Sequence, residues 1–332
     1  ESRGLGDVYK RQVPDKEKPN YLQLLYDHWE TFSTSKHDIG LCTRLMHDIE
    51  LKTKEPIYVK QFKIPEAHMS EVKTQLTEWL KLGVVEPCRS KYNSPIFVVS
   101  KKDGGLRIVQ DFRALNSETY VDKYSMHDVN ECVAEIGRSG STIFSTLDLT
   151  SGFWQMQLAP EAKNTTAFTI PGLGQYCWKV APMGLLGSPA SFQRLVETVL
   201  KGIPNVIVYI DDLIIHTDTH RKHRETLQMV FDRLRANNLK VNLKKCEFGS
   251  TNVSYLGFRL TPEGIKPGID KLNAVGNTNP PTCIKEVRQF LGLCNFFRAH
   301  VKNFALVSHP LAELTKKECK WKRGPPPQNA LK

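Results

Sequence analysis

The chain has 332 residues, which is enough for two or more subdomains with cores of their own. Its 46 Lys and Arg exceed its 35 Asp and Glu, and the net charge of +11 favours a polyanionic partner. No apolar run approaches the roughly 18 residues of a membrane-spanning helix, so no membrane partner is expected. The basic surplus is uneven, because residues 270–332 hold 11 basic and 4 acidic side chains.

The N-terminal part of the chain is the least informative. Residues 1–12 fit none of the motifs below and are interpreted as a non-native leader. Residues 13–60 are predicted to be a connector with a short helix around Tyr21 to Trp29. A helix is then expected from near Pro65 until Gly83 ends it. Its apolar face recurs at every fourth position: Val72, Leu76 and Leu80.

A basic hairpin follows over residues 94–116. The pattern is strand, Asp-Gly turn, strand. Three cations surround its tip: Lys101, Lys102 and Arg107. Cations on a short hairpin suit a clamp on a nucleoside triphosphate. The alternative interpretation is a solvated basic turn.

Two apolar segments carry carboxylates. Residues 143–158 begin as an apolar strand that ends at Asp148. Residues 206–216 are β-branched runs around Asp211 and Asp212, which predicts a hairpin with both acids at its tip. Burying two acids there costs several kcal/mol unless a divalent cation binds to them. The alternative interpretation is that both acids lie in a turn exposed to solvent. If the three acids converge, they could hold two metals about 3.5–4 Å apart.

Helices are predicted around and after these strands. One starts at Ser188-Pro189, where serine is a suitable cap and proline suits the first turn. Another runs from about His220 to Asn237, and beyond Pro267 the pattern becomes helical. Mixed helices and strands, with the acids on strands, predict an α+β fold. The apolar faces of the three helices contain Phe192, Val196 and Val199; Leu227, Phe231 and Leu234; and Val287, Phe290, Leu291 and Cys294.

Together these segments resemble the reverse transcriptase of gypsy-type long-terminal-repeat retrotransposons, over roughly residues 38–322. The motifs that carry the resemblance are ordered and specific. They are His-Asp-Ile-Gly-Leu, Gly-Val-Val-Glu-Pro, the basic hairpin, Ser-Thr-Leu-Asp-Leu-Thr-Ser-Gly-Phe-Trp-Gln, Ala-Pro-Met-Gly-Leu, Ser-Pro-Ala-Ser-Phe-Gln-Arg, Tyr-Ile-Asp-Asp, Asn-Leu-Lys-Lys-Cys-Glu-Phe, Tyr-Leu-Gly-Phe and Arg-Gln-Phe-Leu-Gly-Leu. One departure lies in residues 124–127, Tyr-Ser-Met-His, where the family favours prolines.

The resemblance implies a right-hand polymerase architecture of fingers, palm and thumb, with an antiparallel palm sheet. Fingers and palm would occupy residues 61–265, with the core motifs at about 80–260. The thumb would occupy 266–315, and 316–332 would be a truncated tether toward an RNase H domain. The implied partners are an RNA or DNA template with its primer, deoxynucleoside triphosphates, the RNase H and integrase regions of a parent Pol polyprotein, and a second copy in a dimer. The implied location is cytoplasmic, in a virus-like particle, or nuclear.

The resemblance also implies a two-metal mechanism. Asp148 and Asp211 would bind two Mg²⁺ ions, for which Mn²⁺ could substitute, with the backbone carbonyl of Leu149 as a further ligand. Asp212 would be a supporting acid. Either Lys244 or Lys245 would approach the pyrophosphate.

Further roles are implied for substrate binding. Lys101 and Arg107 would hold the β- and γ-phosphates, while Asp111 would orient a basic partner in the fingers. The aromatic ring of Phe153 would exclude a ribose 2′-hydroxyl, although a plain core role is the alternative. The remaining implied contacts are Met183 and Gly184 in the nucleotide pocket, and Gln193, Tyr209, Tyr255, Leu256 and Gly257 along the primer and template.

Two other functions compete with this prediction. The first is a folded but inactive nucleic-acid-binding fragment or subunit, which loss of any of the three carboxylates would have favoured. The second is an RNA-templated RNA polymerase with a similar palm, against which Phe153 argues because such an enzyme needs that space open.

Overall fold

The computed structural model describes residues 13–316, apart from Lys36, residues 101–103 and Lys123. The interpretations placed on residues 1–12, Lys101, Lys102 and residues 317–332 therefore lie outside the described residues. The chain divides into two compact units, the first ending at Thr251 and the second beginning at Asn252. This division precedes the predicted palm–thumb boundary at 265/266.

The first unit mixes helices and strands, which confirms the predicted α+β class. Its described helices are α1 (Lys18–Asp27), α2 (Glu66–Leu82), α3 (Arg113–Ser117), α4 (Val129–Arg138), α5 (Pro160–Lys163), α6 (Ser188–Leu200) and α7 (His220–Ala236). Its described strands are β1 (Cys42–His47), β2 (Val85–Pro87), β3 (Ile96–Ser100), β4 (Leu106–Gln110), β5 (Ile143–Asp148), β6 (Met156–Leu158), β7 (Phe168–Ile170), β8 (Gly174–Trp178), β9 (Val206–Tyr209), β10 (Asp212–Thr217) and β11 (Glu247–Ser250).

A four-stranded antiparallel sheet is the frame of the first unit. Its strand order is β11-β5-β10-β9, and helices α6 and α7 pack against it. Leu147 of β5 and Leu213 and Ile215 of β10 belong to the large apolar core of this unit, together with Phe192 of α6 and Phe231 of α7. Smaller sheets are formed by β2-β8-β7, by the β3–β4 hairpin and by the parallel pair β1–β6. The paired strands of this sheet therefore hold side chains from separate segments of the chain in a defined register.

The predicted helices form, with two corrections. Helix α2 ends at Gly83, whose φ of 70° supplies the left-handed cap that glycine favours. Leu80, predicted to lie on its buried face, is instead 37% exposed. Ser188 was predicted to cap α6, but Gly187 is the cap and Ser188 is the first helical residue. Its hydroxyl is buried without a partner, so it makes no capping bond.

Residues 13–60 are integrated into the core of the first unit. The side chains of Tyr21, Leu25 and Phe32 are fully buried. The Phe32 ring packs edge-on against the rings of Phe231 and Phe248, at centroid distances of 5.3 Å and 6.3 Å. Strand β1 pairs with β6, which begins directly after the loop that follows β5. This segment therefore supports the sheet as well as connecting to it.

The second unit has a sheet and helices of its own. Its described elements are β12 (Val253–Tyr255), β13 (Phe258–Thr261), β14 (Gly264–Pro267), α8 (Ile269–Gly276), α9 (Ile284–Asn295) and α10 (Phe304–Glu313). Val287 and Leu311 form a small apolar cluster of this unit with Phe290 and Leu291, which lie on the predicted apolar face of α9.

Among the described residues of both units, no helix combines the length and the apolar character needed to cross a membrane.

Candidate active site

The three predicted carboxylates meet at one end of the four-stranded sheet. Asp148 is the last residue of β5 and lies directly opposite Asp212, the first residue of β10. Tyr209 and Asp212 are also paired, so Ile210 and Asp211 form the turn of the β9–β10 hairpin. The predicted hairpin is therefore confirmed. Residues 63 positions apart in the chain are brought together because β10 runs antiparallel to both β5 and β9.

The charges at this end of the sheet are unfavourable without a cation. Burial, and then the carboxylates of Asp211 and Asp148, raise the pKa of Asp212 to about 6. Lys245 acts in the opposite direction, because its Nζ lies 3.0 Å from Oδ2 of Asp148. Of the two lysines predicted as alternatives, Lys245 is thus the one with a contact to the carboxylates. Asn242 caps the backbone N–H of Lys244.

The backbone fixes the relative positions of the acids. The N–H of Leu149 donates to the carbonyl of Asp211 at 3.1 Å, which links β5 to the turn. The carbonyl of Leu149, a predicted metal ligand, accepts from the N–H of Gly152 at 3.2 Å and has a second lone pair. Gly152 packs so closely that a Cβ on it would lie 3.2 Å from Cβ of Asp211. Sequence reasoning did not identify this requirement for glycine.

Gln193 lies beneath the hairpin. It is only 1% exposed, and its Nε2 donates to the carbonyl of Val208 at 2.8 Å. Its Oε1 accepts from the N–H of Ile210 in the turn. The predicted contact between Gln193 and a template strand remains a prediction, and the structure gives Gln193 contacts with the β9–β10 hairpin and with Glu197. Tyr209 ends β9 beside it and is half-buried.

A cavity of about 450 Å³ lies between the β3–β4 hairpin and the loop after β8, and Ser151 of the loop after β5 also lines it. Three predicted nucleotide-binding residues line it: Arg107, Met183 and Gly184. Met183 is 61% exposed, and Gly184 has a φ of 94°. Three tryptophans also line it: Trp79, Trp154 and Trp178. A cation, a flexible apolar side chain and flat rings around one space are suited to a nucleotide.

Asn116 holds the loop that carries Met183. Its Nδ2 donates to the carbonyl of Gly184 at 2.9 Å, and its Oδ1 accepts from the N–H of Leu186 at 2.8 Å. Asn116 closes the hairpin segment in the sequence, but spacing alone did not indicate that it reaches this loop.

Phe153 and Asp111 have defined surroundings. The Phe153 ring is half-buried and packs edge-on against Phe192, with centroids 5.6 Å apart. Asp111 binds Arg113 through both oxygens, at 2.9 Å and 2.7 Å. Arg113 is therefore a basic partner of the kind predicted for Asp111.

The remaining predicted contacts lie in the second unit. Leu256 and Gly257 form the turn between β12 and β13, with φ of 48° and 84°. Positive φ at both central residues is typical of a tight hairpin turn. Tyr255, just before the turn, is 4% exposed. The structure therefore places Tyr255, Leu256 and Gly257 in the β12–β13 hairpin.

Taken together, a four-stranded antiparallel sheet with a carboxylate at the end of one strand and two in the facing hairpin defines the palm of a nucleic-acid polymerase. Residues 99–260 match the family described as reverse transcriptase (RNA-dependent DNA polymerase). The chain belongs to the reverse transcriptases of Pol polyproteins from gypsy-type and other long-terminal-repeat transposons, as the sequence motifs predicted.

The relatives give the extent of this similarity. The chain is 35% identical over 310 residues to the Pol polyprotein of the Drosophila melanogaster transposon opus, and 32% identical over 320 residues to that of the transposon gypsy. These alignments cover 91% and 94% of the chain, and 31% of each relative. A solved foamy viral protease–reverse transcriptase with double-stranded DNA is similar with a TM-score of 0.86 and 29% identity, over 97% of this chain and 57% of that one.

Proposed function

We propose that this chain is the polymerase part of a Pol polyprotein and copies RNA and DNA templates into DNA by extending a primer. The observation that carries the proposal is the register of Asp148 opposite Asp212, with Asp211 in the adjoining turn. The family's description as an RNA-dependent DNA polymerase supports the RNA template. Because the chain spans about a third of its curated relatives, the RNase H and integrase regions are proposed to belong to the rest of the same polyprotein.

The donor atoms at the site fit a hard divalent cation. Asp148, Asp211 and the carbonyl of Leu149 would hold two Mg²⁺, with Asp212 in support, since Mg²⁺ prefers oxygen ligands. In the described residues no three acidic, His or Cys side chains are arranged to hold a metal by themselves, so substrate phosphates would complete the ligands. Bound there, the two cations would lower the pKa of the primer 3′-hydroxyl and neutralise charge on the leaving pyrophosphate.

The other residues bind and select the nucleotide. Arg107 supplies a cation for the triphosphate, and Met183 with Gly184 forms a wall of the pocket. The ring of Phe153, which packs edge-on against Phe192, would exclude a ribose 2′-hydroxyl. Lys245 lies close enough to Asp148 to approach the pyrophosphate as it leaves. These roles predict a preference for deoxynucleotides.

A primer-extension assay with RNA and DNA templates tests the proposal. Asp148→Asn and Asp211→Asn should each abolish extension in Mg²⁺, because each removes a ligand charge with little change of shape. Template–primer affinity should stay within a few-fold, since binding depends on distributed basic contacts. The matched control is Asp218→Asn, which changes an exposed acid just after β10 that pairs with Lys222.

Three outcomes separate the proposal from its alternatives. Near-normal extension by either active-site variant would contradict the two-metal assignment. A wild-type chain that binds template–primer but extends nothing would favour the inactive nucleic-acid-binding fragment. Equal use of ribonucleotides and deoxynucleotides would favour an RNA polymerase.

A further inference from the structure

The turn that carries Asp211 contains a strained residue. Ile210 has a φ of 57°, in the left-handed region. A β-branched residue is rarely found there, because its side chain crowds the backbone. The surrounding structure must therefore hold this conformation. The described contact that does so is the hydrogen bond from the N–H of Ile210 to Oε1 of Gln193.

The side-chain amide of Gln193 can make its hydrogen bonds in one orientation only. Its Nε2 faces two groups that can only accept, the carbonyl of Val208 at 2.8 Å and the carboxylate of Glu197 at 2.7 Å. Its Oε1 faces the N–H of Ile210, which can only donate. A flipped amide would lose all three bonds. Glu197, one helical turn further along α6, thus fixes which end of Gln193 faces the turn.

Glu197 is itself held by the segment that precedes α4. The hydroxyl of Tyr124 donates a short hydrogen bond to Oε2 of Glu197, and Nε2 of His127 lies 3.3 Å from Oε1. This hydrogen bond raises the pKa of Tyr124, so the phenol keeps its proton and remains a donor. These contacts come from residues 124–127, the segment that departs from the family pattern.

Arg194 fixes the position of this segment against α6. Its Nη2 donates to Oδ1 of Asp122 at 2.9 Å, and its guanidinium carbon lies 4.7 Å from the centre of the Tyr124 ring. The same Asp122 oxygen accepts from the N–H of Tyr124 at 3.1 Å. The tyrosine is therefore anchored at its backbone, its ring and its hydroxyl.

We propose that Glu197, held by Tyr124 and His127, is a positioning residue for the catalytic turn. It orients the Gln193 amide, which holds Ile210 in its strained conformation and so sets the place of Asp211 relative to Asp148. Glu197 touches no reacting group. Its effect on the rate rests on the proposed polymerase function, whereas its effect on the turn does not.

Hydrogen–deuterium exchange of the full chain, resolved at the Ile210 amide, tests the effect on the turn. Glu197→Gln keeps the shape but presents an amide that can donate as well as accept, so Gln193 loses its single orientation. Exchange at Ile210 should become roughly tenfold faster, while the amides of Leu213 and Ile214 in β10 keep their wild-type rates. Tyr124→Phe, which removes one bond to Glu197, should give a smaller acceleration of roughly threefold.

The substitutions are compatible with folding, because Glu197 borders a cavity of about 780 Å³ and Tyr124 is only half-buried. The matched control is Glu225→Gln, which removes an exposed glutamate paired with Arg221 on α7. It should leave Ile210 exchange unchanged. Unchanged amide exchange at Ile210 in both test variants would overturn the proposal. Equal acceleration of amide exchange at Ile210, Leu213 and Ile214 would also overturn it, because it indicates general destabilisation.

Steady-state kinetics give the second measurement. Glu197→Gln should lower kcat roughly tenfold and leave the KM for deoxynucleotide within about twofold, because the turn acts on the reacting geometry and not on the pocket. A variant with faster Ile210 exchange but wild-type kcat would overturn the positioning role. If the wild-type chain extends no primer while the exchange results hold, the proposed function fails and the assignment of Glu197 to the turn stands.

Discussion

Individual residues at the carboxylate end of the sheet are arranged for chemistry at a cost in stability. Folding partly buries Asp212 and places it near Asp211 and Asp148, and these effects raise its pKa to about 6. A raised pKa means that the folded state disfavours the ionised form. Lys245 offsets part of this cost through its contact with Asp148. Without bound cations, the folded protein is therefore less stable than it would be with a neutral residue in place of Asp212.

Asp212→Asn should stabilise the cation-free protein. With a chelator at pH 7.5 we expect a gain of about 1 kcal/mol in the free energy of unfolding, discounted because the residue is partly exposed. The gain should shrink as the pH falls through about 6 toward 4, because folded wild-type Asp212 then takes up a proton. Chemical denaturation at several pH values measures this. A variant less stable than wild type at pH 7.5 would contradict the prediction.

Phe153 provides the second prediction at this scale. Phe153→Ala should raise incorporation of ribonucleotides relative to deoxynucleotides, because under the proposed function the ring would exclude the ribose 2′-hydroxyl. The measurement is the ratio of the two kcat/KM values. Phe192→Leu is the control, since it disturbs the packing against Phe153 but keeps the Phe153 ring. An unchanged ratio in Phe153→Ala would show that the ring only packs.

At the scale of elements, the site depends on two close approaches between segments. The hairpin β9–β10 places Asp211 against the loop after β5, and Gly152 in that loop leaves room for it. The second is the approach of α6 to the underside of the hairpin, where Gln193 bonds Val208 and Ile210. The first approach joins segments that are far apart in the sequence, whereas the second joins helix α6 to residues 15 and 17 positions further along the chain.

Gly152→Ala should impair catalysis while leaving the fold intact. The added methyl would lie 3.2 Å from Cβ of Asp211, so the turn must shift by a few tenths of an ångström. We expect kcat to fall by roughly tenfold or more, since catalysis is sensitive to such displacements. Gly292→Ala is the matched control, because no heavy atom lies within 4 Å of its added methyl in α9. Equal kcat in Gly152→Ala and wild type would contradict the expectation.

At the scale of the whole molecule, the predicted metal ligands and most of the positive charge lie in different units. The carboxylates, the 450 Å³ cavity and the largest core lie in the first unit. Residues 252–332 contain 13 basic and 5 acidic side chains, which is +8 of the total of +11. Binding of a polyanion should therefore depend more on the second unit than its size suggests.

Deletion of residues 252–332 tests this division. Template–primer affinity should fall, and its log–log salt slope should flatten by several units, at roughly 0.9 per phosphate neutralised. Single-nucleotide incorporation at saturating primer should survive better than processive synthesis. A full-length variant with Lys285, Arg298 and Lys302 changed to Gln separates charge from loss of the fold, and should flatten the slope by a smaller amount. An unchanged slope in both would show that these cations are ordinary solvated side chains.

The sequence by itself determined the fold class, the family and the three carboxylates. Alternating or β-branched apolar runs specify buried strands, and an acid at the end of such a run has few structural uses. The helices α2, α6 and α7 were predictable for the same reason, because a repeat of 3.6 residues has one apolar face. A local sequence pattern identifies a helix or a strand reliably when the residues of the pattern themselves form the buried face.

Only the tertiary structure decided which residues support the site. It placed Lys245 at Asp148 where the sequence left two lysines open, and it moved the helix cap from Ser188 to Gly187. It also made the α1 segment part of the core and joined Gln193 and Glu197 to the turn that carries Asp211. These contacts join segments up to about 200 residues apart. A hydrogen bond between distant segments depends on register and distance, and neither leaves a periodic pattern in the chain.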